Sequence, residues 1–446
     1  MLAVALGGGH AKGQVLTSLC SFTNLNGTYP WDGVVVVSNK IYGTTYNAGS
    51  NGGFGSIFAV NADGSHYTSL HAFSYEDERC NDDGANPVGN LIASGNTLYG
   101  TTTEGGTNGY GTVFAINNDG TGFTNLHNFT FFDGSSPVAG LILSGNTLFG
   151  TAEHGGSNGP YGGTVFRVNI DGTGFAAVYT FTGGKDNSTG MVTNSDGRGP
   201  WGGLVLSGNV LYGTTYDGGS NGRGTVFGVS AEGSGFTNLH SFSGNDGECS
   251  FDGLVLLGNT LYGTTSEGGP NGGGTVFAVN TDGTGFTNLH SFAGPDGAAP
   301  HARLILIGKM LLGTTSEGGV YGSGTAFAVN IDGTGFASLH NFAGIDGANP
   351  TGALDFSDKM LYGATEAGGL GVPASPGTVF ALNLSATARP LNFQVQGQNL
   401  ILTWGDPAYS LLIGSTVNGP WAKAFGFTNS YSVGMTEPAQ FFRLVR

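Results

Sequence analysis

The sequence predicts an all-β fold, a seven-bladed β-propeller closed by a strand from the amino-terminal end of the chain. Three observations predict it. Of the 446 residues, 85 are Gly and only 10% are charged, so turn formers are abundant and helix formers scarce. A unit of about 50 residues recurs along the chain. The last unit lacks one strand, and the start of the array contains a strand that can replace it.

The repeat is centred on Tyr-Gly-Thr-Thr or a close variant. Seven copies lie at 42–45, 99–102, 149–152, 212–215, 262–265, 312–315 and 362–365. Short apolar segments on both sides alternate with Gly-Asn and Asp-Gly steps, which supply the positive φ that tight hairpins require. Each unit therefore predicts a four-stranded antiparallel meander. Its length is typical of a propeller blade and too great for one coil of a β-solenoid.

The two ends of the array predict how the ring closes. The seventh unit stops after its third strand, at 377–384 (GTVFALNL). Its missing fourth strand has a counterpart at 15–22 (VLTSLCSF), where Cys20 takes the place of a recurrent His. Pairing of these segments would close the ring and remove exposed sheet edges. The propeller is predicted to span residues 15–385.

Two segments lie outside the repeat. Residues 1–14 contain a short apolar run followed by Gly9-His10-Ala11, which predicts the remnant of a secretory leader. Residues 386–446 alternate apolar segments with turns and predict a small C-terminal module resembling a β-sandwich.

Charge and composition exclude several functions. The net charge of −16 disfavours nucleic acid as a partner, and no apolar run is long enough to span a membrane. The three cysteines are too few for a metal cluster or a disulfide scaffold, although a Cys80–Cys249 bridge stays an alternative in an oxidising compartment. No cofactor or metal site is expected, and structural calcium at the Asp-Gly-Thr-Gly turns is kept as an alternative.

A histidine recurs in the Leu-His-x-Phe segment of five units. These residues are His71, His127, His240, His290 and His340. Equivalent positions on the outer strands of a propeller lie far apart and cannot share one ion. We therefore predict that these histidines pack or form hydrogen bonds within the scaffold.

Candidate site residues are those by which one unit departs from the others. In propellers, the loop entering each inner strand borders the central channel. After the Pro of this loop, or its equivalent, the units have Trp31, Val88, Val138, Trp201, Phe251, His301 and Thr351. The next position holds Asp32 and Asp252 in two units and Gly or Ala in the others, and Arg303 follows His301 by two residues. These unusual side chains are predicted to meet at one channel mouth.

The residue types at this mouth point to carbohydrate chemistry. Trp31, Trp201 and Phe251 offer flat surfaces for the C–H faces of sugar rings. Asp32 and Asp252 form a pair of carboxyl groups, which a glycosidase needs as its general acid and as its base or nucleophile. His301 with Arg303 could instead support β-elimination from a uronate. The structural alternative is that the aromatic rings cap the channel and the aspartates cap turns.

The loops between second and third strands add an acidic set before Gly-Gly. It comprises Glu104, Glu153, Asp217, Glu267, Glu317 and Glu366. As a repeated feature it predicts a solvated rim. His154 beside Glu153 breaks the pattern, and this pair is a further candidate for substrate binding.

The Gly-Thr-Val-Phe segments at 111–114, 163–166, 224–227, 274–277 and 377–380, with their Asp-Gly-Thr-Gly-Phe turns, resemble the bacterial GloVer-type tandem-repeat proteins. The copies at 55–58 (GSIF) and 324–327 (GTAF) depart from the motif. The resemblance implies export and an extracellular or cell-surface location, with a variable C-terminal module. It implies no chemistry, so it assigns no catalytic residue.

Two functions are compatible with these observations. The first is a secreted carbohydrate-active enzyme, a hydrolase or lyase acting on a polysaccharide or oligosaccharide at the channel mouth. The alternative is a non-catalytic glycan-binding or surface-display propeller, which the C-terminal module would attach to the cell surface.

Overall fold

The computed structural model describes residues 16–47, 53–74, 81–159, 161–186, 192–369 and 376–384, and the backbone of six strands between 392 and 445. Every regular element in these ranges is a β-strand, which confirms the predicted all-β class. Within the same ranges, the chain forms no helix of the length and apolarity needed to cross a membrane.

Seven four-stranded antiparallel sheets form the blades of a propeller, as predicted. We name the strands of each blade A to D from the inside outward. In blades 1 to 7, strand A is Val35–Val37, Ile92–Ser94, Ile142–Ser144, Val205–Ser207, Val255–Leu257, Ile305–Ile307 and Asp355–Ser357. Strand B is Lys40–Thr45, Thr97–Thr102, Thr147–Ala152, Val210–Thr215, Thr260–Thr265, Met310–Thr315 and Met360–Thr365.

The outer strands follow the same order. Strand C is Ser56–Asn61, Thr112–Asn117, Thr164–Asn169, Thr225–Ser230, Thr275–Asn280, Thr325–Asn330 and Thr378–Asn383. Strand D is Thr68–Ala72, Thr124–Asn128, Ala176–Thr180, Thr237–Ser241, Thr287–Ser291, Ala337–Asn341 and, in blade 7, Leu16–Ser21.

The predicted closure of the ring is confirmed. Leu16–Ser21 pairs antiparallel with Thr378–Asn383, and the N–H of Phe22 donates to the carbonyl of Gly377 at 2.9 Å. Blades 7 and 1 also meet at the centre, where the N–H of Val36 donates to Oδ2 of Asp355 at 2.7 Å. The first and last parts of the array thus belong to one blade.

The core lies between neighbouring blades, because the apolar side chains of each sheet pack against those of the next. The Phe in strand C and the Phe just after strand D of each blade are almost entirely buried, for example Phe114 and Phe129. The Gly of Tyr-Gly-Thr-Thr makes room for the strand C ring: a Cβ at Gly100 would lie 2.6 Å from Cζ of Phe114. This contact explains why the motif keeps its glycine in every unit.

Four of the five recurrent histidines, all but His340, stack on a Phe of the next blade, as expected for scaffold residues. Nε2 of His290 lies 2.8 Å from Oδ2 of Asp296, and its ring stacks 3.7 Å from Phe336 of blade 6. His71, His127, His240 and His340 have the same kind of Asp partner. Burial lowers the pKa of His290, against the opposing effect of Asp296.

The chain connections divide the propeller into two faces. We call the face with the D–A connections and B–C loops the mouth face, and the face with the A–B and C–D turns the opposite face. In every D–A connection the residue before Pro, or before Ser250 in blade 5, has a positive φ between 51° and 62°. This left-handed residue turns the chain sharply inward, so the residues that follow it lie around the channel.

Residues Leu16–Asn383 form one compact unit, and Leu384–Arg446 belong to a second. The second contains two three-stranded antiparallel sheets. One has the order Asn392–Gln396, Asn399–Thr403, Ser430–Gly434, and the other Trp421–Lys423, Ser410–Gly414, Phe441–Val445. The short strand Trp421–Lys423 was not predicted from the sequence. The predicted leader, 1–14, lies outside the described residues.

Candidate functional site

One cavity of about 250 Å³ opens on the mouth face, and residues from all seven blades line it. We call it the mouth pocket. Its acidic side chains are Asp32, Glu104, Glu153 and Asp252, and its rings are Trp31, Tyr46, Trp201, Phe251 and His301. Seven of the nine candidate residues therefore border one space, although Trp31 and Asp252 are far apart in sequence.

The backbone of neighbouring blades holds the two aspartates. Oδ1 of Asp32 accepts the N–H of Gly33 at 2.7 Å, and the backbone N–H groups of Asn90 and Ala353 also face this carboxyl group. Oδ1 of Asp252 accepts the N–H of Gly253 at 2.5 Å, and its Oδ2 accepts the backbone N–H of Arg303. Each carboxyl group is thus both a pocket residue and a contact between blades.

Burial changes the acidity of this pair. Burial, together with the charge of Asp252, raises the pKa of Asp32 to about 7. Burial raises the pKa of Asp252 to about 6, against the opposing effects of the Gly253 N–H and of Arg303. Both carboxyl groups therefore ionise at a higher pH than ordinary aspartates, and the charge of Asp252 opposes the ionisation of Asp32.

Aromatic rings form two walls of the pocket. In the first wall, the ring centroid of Trp201 lies 4.9 Å from that of Phe251 and 6.0 Å from that of Tyr216. In the second, Trp31 meets Tyr46 edge to face at 5.2 Å. The hydroxyl of Thr351 donates to the carbonyl of Trp31 at 2.6 Å and so ties this wall to blade 7.

His301 extends the first wall. Its ring stacks on Phe251, with centroids 4.5 Å apart and an interplanar angle of 13°. Burial lowers the pKa of His301 to about 4. The imidazole is therefore neutral at neutral pH and can both donate and accept a hydrogen bond.

Arg303 does not join His301 in the mouth pocket, contrary to the expected gathering at the mouth. Its side chain lines the axial channel together with inner-strand residues such as Ile305 and Asp355. Asp252 borders both spaces and separates the guanidinium from the pocket. The proposed His–Arg arrangement for β-elimination therefore has no cation beside the imidazole.

The acidic residues of the B–C loops occupy two different positions in the loop. The expectation that they form a single solvated rim was therefore wrong. Isolated bridges pair Ala85 with Glu104 and Ser135 with His154, so His154, and not Glu153, is equivalent to Glu104. Glu153 and Glu366 therefore lie one residue earlier in the loop than the other acidic residues. Burial raises the pKa of both groups, whereas Glu267 and Glu317 are exposed.

Glu153 has two nitrogen neighbours beside the pocket. Nε2 of His154 lies 3.3 Å from Oε1 of Glu153, and Nε1 of Trp201 faces the same carboxyl group, where its N–H opposes the rise in the pKa of Glu153. Nδ1 of His154 is buried without a hydrogen-bond partner. One imidazole nitrogen thus remains available to a bound molecule.

The sequence analysis did not single out Tyr46, which lines the pocket, or Tyr216, which packs behind the pocket residues Trp201 and Phe251. Each directly follows a Gly-Thr-Thr segment, where the other blades have Thr, Ser or Glu. The comparison of blades that identified Trp31 would have found them at this second position. Deviation from the repeat is thus the signal in both loops.

Among the described residues, no three His, Cys, Asp or Glu side chains come together as metal ligands. The turn aspartates proposed for calcium are bound locally: Oδ1 of Asp282 accepts the N–H of Thr284 at 2.9 Å and its hydroxyl at 2.6 Å. Cys249 is a free thiol, and burial raises its pKa to about 11. Cys80, which the sequence left open as a disulfide partner of Cys249, lies outside the described residues.

The repeat signature of the Gloeobacter/Verrucomicrobia repeat matches residues 10–193, 188–306 and 251–399, which together cover most of the chain. The chain belongs to the Gloeobacter/Verrucomicrobia repeat family. The three overlapping matches agree with the repeated blades of this Gloeobacter/Verrucomicrobia repeat protein. A comparison with curated proteins gave no match.

Several solved structures are similar to this Gloeobacter/Verrucomicrobia repeat protein at low sequence identity. YCF48 bound to D1 peptide matches with a TM-score of 0.50 and 10% identity, over 83% of this chain and 96% of that one. A putative 6-phosphogluconolactonase from Bacteroides fragilis NCTC 9343 gives 0.48 and 14%, over 92% and 98%. A puromycin-hydrolyzing peptidase of Mycobacterium tuberculosis gives 0.49 and 9%, over 84% and 57%.

Proposed function

We propose that the mouth pocket binds the end of a carbohydrate chain and that Asp32 and Asp252 hydrolyse its glycosidic bond. The observation that carries this proposal is one cavity that combines aromatic walls with two buried carboxyl groups of different acidity. Aromatic faces bind the apolar faces of sugar rings, while carboxylates bind hydroxyl groups.

The different pKa values assign the two roles. Asp32, with a pKa of about 7, keeps its proton longer and serves as the general acid that protonates the leaving oxygen. Asp252, with a pKa of about 6, ionises first and serves as the base for water or as the nucleophile. Elimination from a uronate is less well supported, because Arg303 lies in the channel.

A non-catalytic binding function is the second candidate, and the hydrogen bonds of the carboxyl groups favour it. Asp32 and Asp252 both accept backbone N–H groups, including that of Arg303 in a neighbouring blade. Such bonds are sufficient to explain two aspartates as contacts between blades. In that case the pocket would bind a glycan and leave it intact.

The two candidates are separated by a screen of oligosaccharides for both binding and release of reducing ends. The wild type is compared with Asp32→Asn and Asp252→Asn, and Asp332→Asn on the opposite face is the matched control. Hydrolysis predicts turnover that falls by at least about 100-fold in the two pocket variants and is unchanged in the control. Binding without turnover in the wild type would exclude the catalytic role.

The assigned roles also predict a narrow pH optimum. Activity requires Asp252 ionised and Asp32 protonated, so kcat/KM should rise as the pH increases through about 6 and fall through about 7. The rate is measured between pH 4 and 9 in buffers of constant ionic strength. A profile that is flat between pH 5 and 8 would contradict the acid–base assignment.

A further inference from the structure

The charged side chains that line the mouth pocket are acidic. Its ionisable acids are Asp32, Glu104, Glu153 and Asp252, and no Lys or Arg among the described residues lines it. The imidazole that reaches it, His301, is neutral at neutral pH because burial lowers its pKa to about 4. At neutral pH, where Asp252 is ionised, a carboxylate or sulfate on a ligand would therefore meet acidic groups and no lining cation.

The nearby arginines lie outside the pocket lining, and two of them are paired with other acidic side chains. Arg198 pairs with Asp217 at 2.7 Å, and Arg223 pairs with Glu248. Arg303 lies in the axial channel behind Asp252. The site is thus a cavity with carboxylates facing it and its closest cations already paired or outside it.

The aromatic walls of the cavity also favour a positively charged ligand. Four of the lining residues are Trp31, Tyr46, Trp201 and Phe251, and the face of such a ring carries the negative part of the quadrupole, which attracts ammonium groups. The unpartnered Nδ1 of His154 can form a polar contact with a hydroxyl group of the same ligand. A sugar that carries an amine fits both properties.

We infer that the carbohydrate bound in the mouth pocket is a cationic amino sugar, an oligosaccharide of hexosamine with free amines, and not a neutral or uronate chain. This inference rests on the proposed function and specifies its substrate class. The ammonium would contact Glu104 or Glu153 beneath the aromatic walls, and the remaining hydroxyl groups would bind the free polar atoms of the rim.

The test compares four oligosaccharides of equal length: deacetylated hexosamine, its N-acetylated form, a neutral glucose chain and a uronate chain. Binding is measured by calorimetry at about pH 6, where an ordinary amine is protonated. We expect the deacetylated chain to bind on the order of tenfold more tightly than the N-acetylated and neutral chains, and the uronate chain to bind least. The advantage should shrink as salt is raised.

Two variants make the test independent of folding. Glu104→Gln should reduce affinity for the deacetylated chain by several-fold and reduce affinity for the neutral chain by much less, because only the charge is removed. Glu317→Gln is the matched control, because the bridges Ala85–Glu104 and Ala298–Glu317 show the same register, while Glu317 is exposed and outside the pocket. Both variants should keep the wild-type melting temperature.

The outcomes separate this inference from the proposed function. Equal affinity for neutral and deacetylated chains, or a Glu104→Gln variant that binds both like the wild type, would overturn the amino-sugar assignment and leave a carbohydrate pocket. Failure of all four chains to bind to the wild type would overturn both proposals.

Discussion

Asp32 and Asp252 hold positions that five of the seven blades fill with Gly or Ala. A small residue suits this position because the inward ends of the blades approach one another closely there. For example, a Cβ at Gly202 would lie 2.6 Å from the carbonyl oxygen of Asp252. An ionisable group in such a place is surrounded by backbone and loses much of its hydration. This desolvation is the main cause of the raised pKa of both groups.

The raised pKa of Asp32 predicts a pH-dependent change in stability. Its pKa is about 7 in the folded protein against 3.8 ordinarily, so ionisation favours the unfolded state. The stability of the wild type relative to Asp32→Asn should therefore be greatest near pH 4 and fall up to about pH 7. The expected fall is a few kcal/mol, at about 1.4 kcal/mol for each unit of pKa difference. Chemical unfolding of both proteins at several pH values measures it.

Asp332→Asn serves as a control, because the contribution of Asp332 to stability should change with pH in the opposite direction. Hydrogen bonds from the side chain and N–H of Thr334 lower the pKa of Asp332, so its contribution is lost as the pH falls. A difference between the wild type and Asp32→Asn that does not change with pH would show that Asp32 is well hydrated.

At the scale of the element, the closing strand Leu16–Ser21 pairs with the last strand of the array, Thr378–Asn383, at the other end of the propeller sequence. It completes blade 7 with a bulge between Ser18 and Cys20, where the other blades have a bulge in the same C–D pair. Phe22 then enters the core with 1% of its surface exposed, like Phe292 in the corresponding place of blade 5. The strand thus repeats the packing of a normal strand D.

Phe22→Ala should therefore destabilise the protein as much as Phe292→Ala does. Each change removes a buried ring and leaves a cavity, with an expected loss of about 3–5 kcal/mol in the free energy of unfolding. Equilibrium unfolding in urea compares the two variants. A loss below about 1 kcal/mol for Phe22→Ala alone would mean that the closing strand contributes little to the fold.

For the whole molecule, the two faces of the propeller differ in character. Of the ten large apolar side chains that are exposed among the described residues, nine lie on the mouth face. They are Leu25, Tyr29, Trp31, Tyr110, Phe132, Tyr161, Val320, Tyr321 and Ile345. The tenth, Leu257, lies on the opposite face, whose turns are polar. Exposed apolar groups collected on one face indicate a binding surface around the pocket.

If the pocket binds one end of a glycan, longer chains should also contact this surface. Phe132 is 77% exposed and continues a row of rings through Phe131 to Tyr110, whose carbonyl accepts the N–H of the pocket residue Ser136 at 3.1 Å. Phe132→Ser should weaken binding of long chains by several-fold and leave short chains unaffected. Leu257→Ser is the control on the opposite face. Equal loss for short and long chains would place the effect in the pocket itself.

Much of the fold was predictable because its determinants are local and repeated. Tyr-Gly-Thr-Thr or a close variant, Asp-Gly turns and apolar segments of strand length recur along the array. Seven similar units therefore support the same prediction for the structure of a blade. The pocket residues Trp31, Asp32, Trp201, Phe251, Asp252 and His301 were predicted because a rotationally repeated loop places its odd members around one axis.

The register of the acidic rim was also available in the sequence. Counted from the Tyr-Gly-Thr-Thr motif, Glu153 takes the position of Tyr46, and His154 takes that of Glu104.

The remaining features depend on tertiary structure. The separation of Arg303 from His301 and the raised pKa of Asp32 depend on which groups surround them across several blades. The sequence by itself determined the blades and the identity of the unusual residues, because both follow from local, repeated patterns. Only the closed ring decided their burial and protonation, because these depend on neighbours far away in the chain.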